Sequence, residues 1–276
     1  MRIAIVGGAG RMGQWLSRAL VQQGQEVVLI DRDNARLQTA IIHLGVEGTT
    51  DPGMISTAGA FILAVPISSF EEVVQKLASS TSPGQIAIDV TSVKVMPVAV
   101  MHRYLPHCTV LGTHPIFGPG TKDLREQNVV LTPTSGREAA LARQLGKTLK
   151  SHGANVSIMS PEKHDELMAV VLGLAHFIAV VTGDTLLSPG NLKELNEVSG
   201  PTFRALLAFV TTVLSEDPEL YAAIQVNLAV LPGMEQAFAD RACSWAEMVK
   251  NGDASSFAAK MFALRRMLAG QQGEPK

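Results

Sequence analysis

The sequence predicts an α/β fold in which a doubly wound parallel sheet is followed by an all-α domain. Three observations carry this expectation. Short, continuously apolar runs rich in β-formers alternate with helical patterns through the first half of the chain. A glycine-rich hexapeptide joins the first such run to the first helical pattern. Past Ile158 the β-rich runs cease and long helical patterns take over.

The runs Arg2–Val6, Val27–Ile30, Ala60–Ala64, Ile86–Asp89, Thr109–Gly112 and Val129–Thr132 contain few alternating polar positions. That is the signature of parallel strands covered on both faces. Between them, Arg11–Gln23, Asn34–Leu44, Ser69–Ala78 and Glu138–His152 read as helices, which gives the βαβα order of a doubly wound sheet. Gly24 suits the C-cap of the first helix, and Ser135 with Glu138 three residues on forms a capping-box signature. Asn155–Ile158 reads as the last strand, and Ser160-Pro161 as a strong helix start. From there to Leu268 no strand is expected. Turn signals at Ser188-Pro189-Gly190, Gly200-Pro201, Asp217-Pro218, Pro232-Gly233 and Asn251-Gly252 divide the helices. Leu206, Leu207, Phe209, Val210, Val213 and Leu214 make a helix too apolar for a thin surface layer, so these helices are expected to pack on each other and on a second subunit. The expected domains are residues 1–159 and 160–270, with a polar, disordered tail at 271–276.

Composition narrows the function. The chain is 46% hydrophobic and 17% charged with a formal net charge of −2, so no electrostatic footprint points to nucleic acid or an anionic membrane. Cys108 and Cys243 are far apart and lack metal-ligand spacing, consistent with a reducing cytoplasm and no metal site. The apolar run after Arg2 stops at Gly7, far short of a signal-peptide core. The apolar stretch from Met168 to Val181 is interrupted by His176 and reads as a buried helix, too short and polar to cross a bilayer.

Gly8-Ala9-Gly10-Arg11-Met12-Gly13 has the form GxGxxG, directly after a strand and opening a helix. In that context the first glycine permits a tight turn, the second lets backbone N–H groups approach a pyrophosphate, and the third lets helix and strand pack closely. The helix N-terminus then presents partial positive charge to the phosphates. Asp31 ends the second strand, where a carboxylate can accept hydrogen bonds from ribose hydroxyls and repel a 2′-phosphate; this favours NAD, with the adjacent Arg32 softening the preference. A plain glycine turn with a solvated aspartate is the bland alternative. Val65 and Pro66 close another strand beside the expected crevice and read as cofactor contacts.

Two segments of this domain are rich in reactive groups. Ser92 and Lys94 follow the Ile86–Asp89 strand, outside a carboxyl end of the sheet where ligands bind in this fold. His114 follows the Thr109–Gly112 strand in a loop stiffened by glycines and prolines; it is a candidate general base, or else a histidine serving loop structure. In the helical region, His164 and Asp165 lie in the first helix and His176 further along, a separation read as placing both rings on roughly one helix face. No third ligand accompanies the two histidines, which weighs against a metal pair. His164 reads as a structural residue near the helix start, and His176 is open to being a core histidine satisfied by a backbone carbonyl.

Gly7–Gly13, Thr91-Ser92-Val93-Lys94, the segment from Gly112 to Pro119, Glu162–Asp165 with Gly173–Phe177, and Asp217–Ala222 occur in order through nearly the whole chain, and together they resemble the prephenate dehydrogenase family. The likeness is strongest to the archaeal forms and to the dehydrogenase half of bifunctional chorismate mutase–prephenate dehydrogenases; no mutase segment is expected ahead of Met1. The resemblance implies a Rossmann domain followed by a helical dimerisation domain, a homodimer, and an active site in the cleft between them. It also implies NAD-dependent oxidative decarboxylation of prephenate to 4-hydroxyphenylpyruvate in tyrosine biosynthesis. By that likeness His114 takes the ring-hydroxyl proton, Ser92 orients His114, Lys94 lends positive charge nearby, and His176 and Tyr221 contact the substrate.

One position departs from the family pattern. Where the family carries a carboxylate-gripping arginine, this sequence has Thr212. Arg204, eight residues earlier, is the candidate replacement cation for binding substrate, and Arg241 a weaker one. The departure leaves open the same chemistry on arogenate or 4-amino-4-deoxyprephenate, and a catalytically silent NAD-binding regulatory protein as a reading of a different class.

Overall fold

The computed structural model describes residues 1–188, 190 and 192–271. By contacts the chain divides into two compact units, Met1–Ala229 and Val230–Lys276.

The first unit is built on an eight-stranded sheet: β1 (Arg2–Val6), β2 (Glu26–Ile30), β3 (Glu47–Thr49), β4 (Ala60–Leu63), β5 (Ile86–Asp89), β6 (Thr109–Pro115), β7 (Asn128–Thr132) and β8 (Asn155–Ile158). Their order is β3-β2-β1-β4-β5-β6-β7-β8. The helices α1 (Arg11–Gln22), α2 (Asn34–Leu44), α3 (Phe70–Ala78), α4 (Val95–Tyr104) and α5 (Gly136–Ser151) cross over between strands. The result is a Rossmann-like, doubly wound architecture. Apolar clusters line the sheet, one containing Phe61, Phe70 and Met101 and another Ile5, Leu29 and Leu37. Burying such a side chain contributes about 1.5–3 kcal/mol.

Three features differ from the sequence expectation. The sheet is not wholly parallel: β7 runs antiparallel to β6, and β8 runs parallel to β7. A continuous apolar run reports burial on both faces and carries no strand direction. The helix α4 was not anticipated because Pro97 sits inside it. The proline occupies the first turn, where the backbone N–H has no intrahelical acceptor, so the helix tolerates it. The short edge strand β3, with Gly48 at its centre, gave no β-rich signal. The caps follow expectation more closely: Ser160 Oγ accepts the Lys163 N–H at 3.2 Å, and Ser135 Oγ accepts that of Glu138 at 3.3 Å. The Glu138 carboxylate turns to the Thr134 N–H at 2.6 Å, in place of the reciprocal capping-box bond.

After β8 no strand occurs among the described residues. Residues Pro161–Leu187 form one helical path of 27 residues, long and apolar enough to cross a membrane by length and composition alone; it is longer than the stretch read from the sequence because no break interrupts it. The path comprises α6 (Pro161–Met168), a π-helical turn (Ala169–Leu174) and α7 (Ala175–Leu187). An uninterrupted α-helix turns about 100° per residue, which would put His164 and His176 about 120° apart and not on the common face read from the sequence. The π turn absorbs one residue and brings them to within about 20°. Its wider winding frees a carbonyl, and Gln225 Nε2 donates to Gly173 O at 3.0 Å.

The helices α8 (Leu192–Glu197), α9 (Pro201–Leu214) and α10 (Pro218–Asn227) complete this unit. Gly183 of α7 packs against Val210 and Leu214 of α9, while Val180, Val181, Leu206 and Phe209 remain exposed. The second unit pairs α11 (Leu231–Lys250) with α12 (Ala254–Gln271), where the Trp245 and Phe257 rings meet edge-on at 4.7 Å. Pro232-Gly233 falls in the first turn of α11, so the break it signals lies just ahead of it, between Asn227 and Leu231. Of the turn at Ser188-Pro189-Gly190, Pro189 lies outside the described residues. Of the tail expected to be disordered, Gln271 ends α12 and residues 272–276 lie outside the described residues.

The glycine loop makes a direct test of the packing. A Cβ on Gly13 would fall inside contact distance of Gly7 O and 2.9 Å from Gly8 Cα, both backbone atoms that cannot yield. Gly13→Ala is therefore expected to destabilise the protein by about 1–3 kcal/mol, read as a lower urea midpoint at unchanged m-value.

Candidate active site

The loop after β1 is held by its own backbone and by β2. Gly7, at φ +79°, makes the tight turn; Gly8, which the sequence suggested for that role, has an ordinary φ. Gly8 is needed for space, since a Cβ there would lie 2.9 Å from both Ile5 O and the Leu29 side chain. Asp31 Oδ2 accepts the Ala9 N–H at 3.0 Å and Oδ1 accepts the Asp33 N–H at 3.1 Å, so the carboxylate ties the glycine loop to the end of β2. A Cβ on Gly7 would meet Ala64 O and approach Val65 Cγ1 at 3.1 Å, which puts the Val65-Pro66 loop against the glycine loop. Gly10 is the N-cap of α1 and Met12 lies in its first turn, while Arg11 points outward to an exposed ion pair with Glu216 at 3.3 Å. Arg32 is exposed. The bare glycine cradle at the N-terminus of α1, with a carboxylate at the tip of β2, fits a dinucleotide.

His114 lies in β6 and not in a loop, because that strand runs on to Pro115 through its pairing with β7 opposite Val130. Its ring is buried at 4% exposure. Nδ1 is 2.9 Å from His164 Nε2, and His164 Nδ1 is 2.7 Å from Asp165 Oδ1. Among the described residues no hydrogen bond engages His114 Nε2. Burial, then the Lys94 ammonium and the His164 ring, hold the His114 imidazole well below its ordinary range. His164 is thus more than a helix-start residue: α6 delivers its ring to His114 across the domain boundary expected from the sequence.

Lys94 does not face the crevice. It is fully buried, with Nζ on the Asp89 carboxylate and on Thr113 O at 2.6 Å. Burial lowers its pKa against the opposing pull of Asp89 and Asp165. Its charge therefore acts on His114 from beneath the strand. Asp165 spans to the start of α4, accepting the Lys94 and Val95 N–H groups at 2.7 and 2.9 Å. Ser92 is half-buried and makes no hydrogen bond to His114. Asp89, His164 and Asp165 were not among the residues expected to build the site. Their contacts cross 50 to 71 residues of sequence or lie beneath a strand, and only the His164-Asp165 pair gave a local signal.

His176 stacks on Tyr221 with ring centroids 4.1 Å apart. Its Nδ1 is buried without a hydrogen-bond partner, so the backbone carbonyl that would satisfy a core histidine is absent. Burial lowers the His176 pKa, and burial with Glu216 nearby raises that of Tyr221. The Arg204 guanidinium bonds Ser199 O at 3.3 Å and Arg241 bonds Ala237 O at 3.1 Å, each within its own helical neighbourhood. Thr212 Oγ1 donates to Ala208 O at 2.9 Å. No group of three metal-ligating side chains occurs among the described residues.

The sequence and architecture match known proteins. Residues 16–159 match the model of the prephenate dehydrogenase nucleotide-binding domain, a stretch that begins just past the glycine loop, and residues 160–263 match that of the prephenate dehydrogenase dimerization domain. A probable arogenate/prephenate dehydrogenase of Methanocaldococcus jannaschii is 31% identical over 93% of this chain and 58% of its own length. A T-protein of Enterobacter agglomerans is 30% identical over 93% of this chain and 65% of its own. The chain thus spans about three-fifths of these two relatives. A 4-amino-4-deoxyprephenate dehydrogenase of Streptomyces pristinaespiralis is 28% identical over 99% of this chain and 92% of its own. Among solved structures, prephenate dehydrogenase from Aquifex aeolicus, in complex with hydroxyphenyl propionate and NAD+, superposes with a TM-score of 0.79 at 23% identity over 97% of each chain. Synechocystis arogenate dehydrogenase gives 0.74 at 21% identity over 99% of each. With two successive models of one family spanning residues 16–263, the chain belongs to the prephenate dehydrogenase family.

Proposed function

We propose that the chain is an NAD-dependent prephenate dehydrogenase, a cytoplasmic enzyme of tyrosine biosynthesis that converts prephenate to 4-hydroxyphenylpyruvate and CO2. The observation that carries this reading is a buried histidine at the carboxyl end of β6, with one ring nitrogen hydrogen-bonded and the other unengaged, in a nucleotide-binding domain of this family. Gly8, Gly10, Arg11, Met12 and Gly13 would hold the NAD pyrophosphate, Asp31 and Arg32 the adenosine ribose, and Val65 and Pro66 the nicotinamide side. NAD, when bound, supplies the acceptor for the hydrogen at ring C4.

His114 is the general base that takes the proton of the C4 hydroxyl. The ring carboxylate then leaves as CO2, its bonding electrons aromatise the ring, and the phenolic oxygen regains the proton from His114. Lys94 fixes the strand beneath His114, and Ser92 lies near enough in sequence to the site to meet the substrate hydroxyl. His176 and Tyr221 meet the substrate from the helical side, where the unpartnered His176 Nδ1 is a ready donor or acceptor. Arg204 is the candidate cation for a carboxylate. The helical domain, residues 160–270, pairs two chains into a homodimer through the exposed apolar faces of α7 and α9.

Thr212, in place of an arginine, favours a second reading: the same chemistry on arogenate or 4-amino-4-deoxyprephenate, whose C4 amine or side-chain ammonium changes the charge to be met. NADH formation from NAD+ with each of the three substrates decides among them. The reading above expects the highest kcat/KM on prephenate, and a higher value on either other substrate transfers the assignment. Turnover of none would make the chain a binding protein.

His114→Asn is expected to lower kcat by about 10²–10⁴-fold while NAD binding is unchanged; retention of turnover would remove the base. The groups around His114 are Lys94 and Asp89 below it and His164 and Asp165 beside it. With its pKa depressed, His114 stays unprotonated as pH falls through the ordinary histidine range and loses the base form only below it. The acid limb of kcat/KM is therefore expected below about pH 6.5, and a limb at or above that value contradicts the assignment.

A further inference from the structure

The chain of hydrogen bonds from Asp165 to His114 determines which nitrogen of His114 is free to take a proton. Each oxygen of the Asp165 carboxylate accepts a backbone N–H, Oδ1 from Lys94 at 2.7 Å and Oδ2 from Val95 at 2.9 Å. Facing an acceptor at 2.7 Å, His164 Nδ1 carries its ring hydrogen. A neutral imidazole protonated at Nδ1 has a bare lone pair at Nε2. His164 Nε2 lies 2.9 Å from His114 Nδ1, and a bond between two ring nitrogens needs one hydrogen, so that hydrogen belongs to His114 Nδ1. The lone pair of neutral His114 is then on Nε2, the nitrogen that no hydrogen bond engages among the described residues.

We propose that His164 and Asp165 are positioning residues that lock His114 in its Nδ1–H tautomer, making Nε2 the atom that accepts the substrate proton. The assignment of that proton rests on the function proposed above. In the transfer, the substrate O–H bond breaks and an N–H bond forms at Nε2. The resulting imidazolium keeps its Nδ1–H on the His164 lone pair, so no second proton moves. The energetic logic is that of an orienting acid–base pair: one residue fixes the ring, the next fixes the tautomer of the first. Both rings and the carboxylate are shielded, with His114 at 4%, His164 at 0% and Asp165 at 8% exposure, so water does not compete for these bonds. The opposite arrangement, with a hydrogen on His164 Nε2, would put the His114 hydrogen on Nε2 and leave no base facing the substrate.

Long-range ¹H–¹⁵N correlation of the histidine rings in the ligand-free full chain reads the tautomer directly, with His114→Asn identifying the signal. A protonated Nδ1 and a bare Nε2 on His114 are expected; a protonated Nε2 overturns the proposal. His164→Leu removes the acceptor and is expected to scramble the tautomer and lower kcat by about 10–100-fold, with KM within about twofold. His164→Gln returns a carbonyl acceptor and is expected to recover part of both. Unchanged ring shifts in His164→Leu, or a Gln variant no better than Leu at equal folded fraction, would show that His164 serves packing alone. Because the tautomer is read without substrate, failure to turn over any cyclohexadienyl substrate would sink the function above and leave the relay standing.

Discussion

The fully buried contact between Lys94 and Asp89 is the constraint on which the rest of the site depends. A charge withdrawn from water costs several kcal/mol unless its partner is matched and the remaining donors and acceptors are filled. Here two of the three ammonium donors are met, Nζ donating also to Thr113 O, and Asp89 Oδ1 accepts the Thr91 N–H at 2.7 Å. Thr113 Oγ1 donates to Asp89 O at 2.7 Å, stitching β5 to β6 one residue before His114. The pair thus fixes the strand that carries the base, and the same ammonium opposes a second positive charge on the ring above it.

His114 is held from two directions by unrelated means. Its backbone is fixed by the antiparallel pairing of β6 with β7, which extends β6 past the length its apolar run suggested. Its ring is fixed by α6, itself clamped to the start of α4 through Asp165. A base so restrained gives up little conformational freedom when substrate arrives, which is the preorganisation that proton transfer rewards. Trp15 adds a tether at the loop's far end, with Nε1 donating to Thr121 O at 2.6 Å and its ring edge-on to Phe117 at 4.9 Å. The segment after His114 is thereby bound to the helix that follows the glycine loop.

What the sequence disclosed, and what it hid, follows from the range of the interactions. The glycine loop and the capping residues Ser135 and Ser160 act within a few residues of themselves, and Asp31 stands at the distance from that loop which a strand–helix–strand unit sets, so their spacing announces them. His114 was legible as a histidine beside a strand end, although its strand was drawn three residues short. Asp89 gave no signal because an aspartate ending a strand resembles any solvated strand end. The meeting of His164 with His114 depends on how α6 docks against the sheet, and nothing local encodes that. Lys94 misled for the opposite reason: a lysine just outside a strand reads as exposed, whereas the start of α4 turns it inward.

The π turn between α6 and α7 carries a consequence of its own. A helix behaves as a screw, coupling advance to rotation, and this segment slips one notch of the thread. Removing that one extra residue would let the segment close as ordinary α-helix with α7 in nearly its present phase, whereas rewinding it as α-helix at full length would spin α7 by about 100° relative to α6 and aim the His176 imidazole, with its unmet nitrogen, away from Tyr221. The winding of this turn, as much as the identity of the two histidines, sets the face on which each imidazole stands.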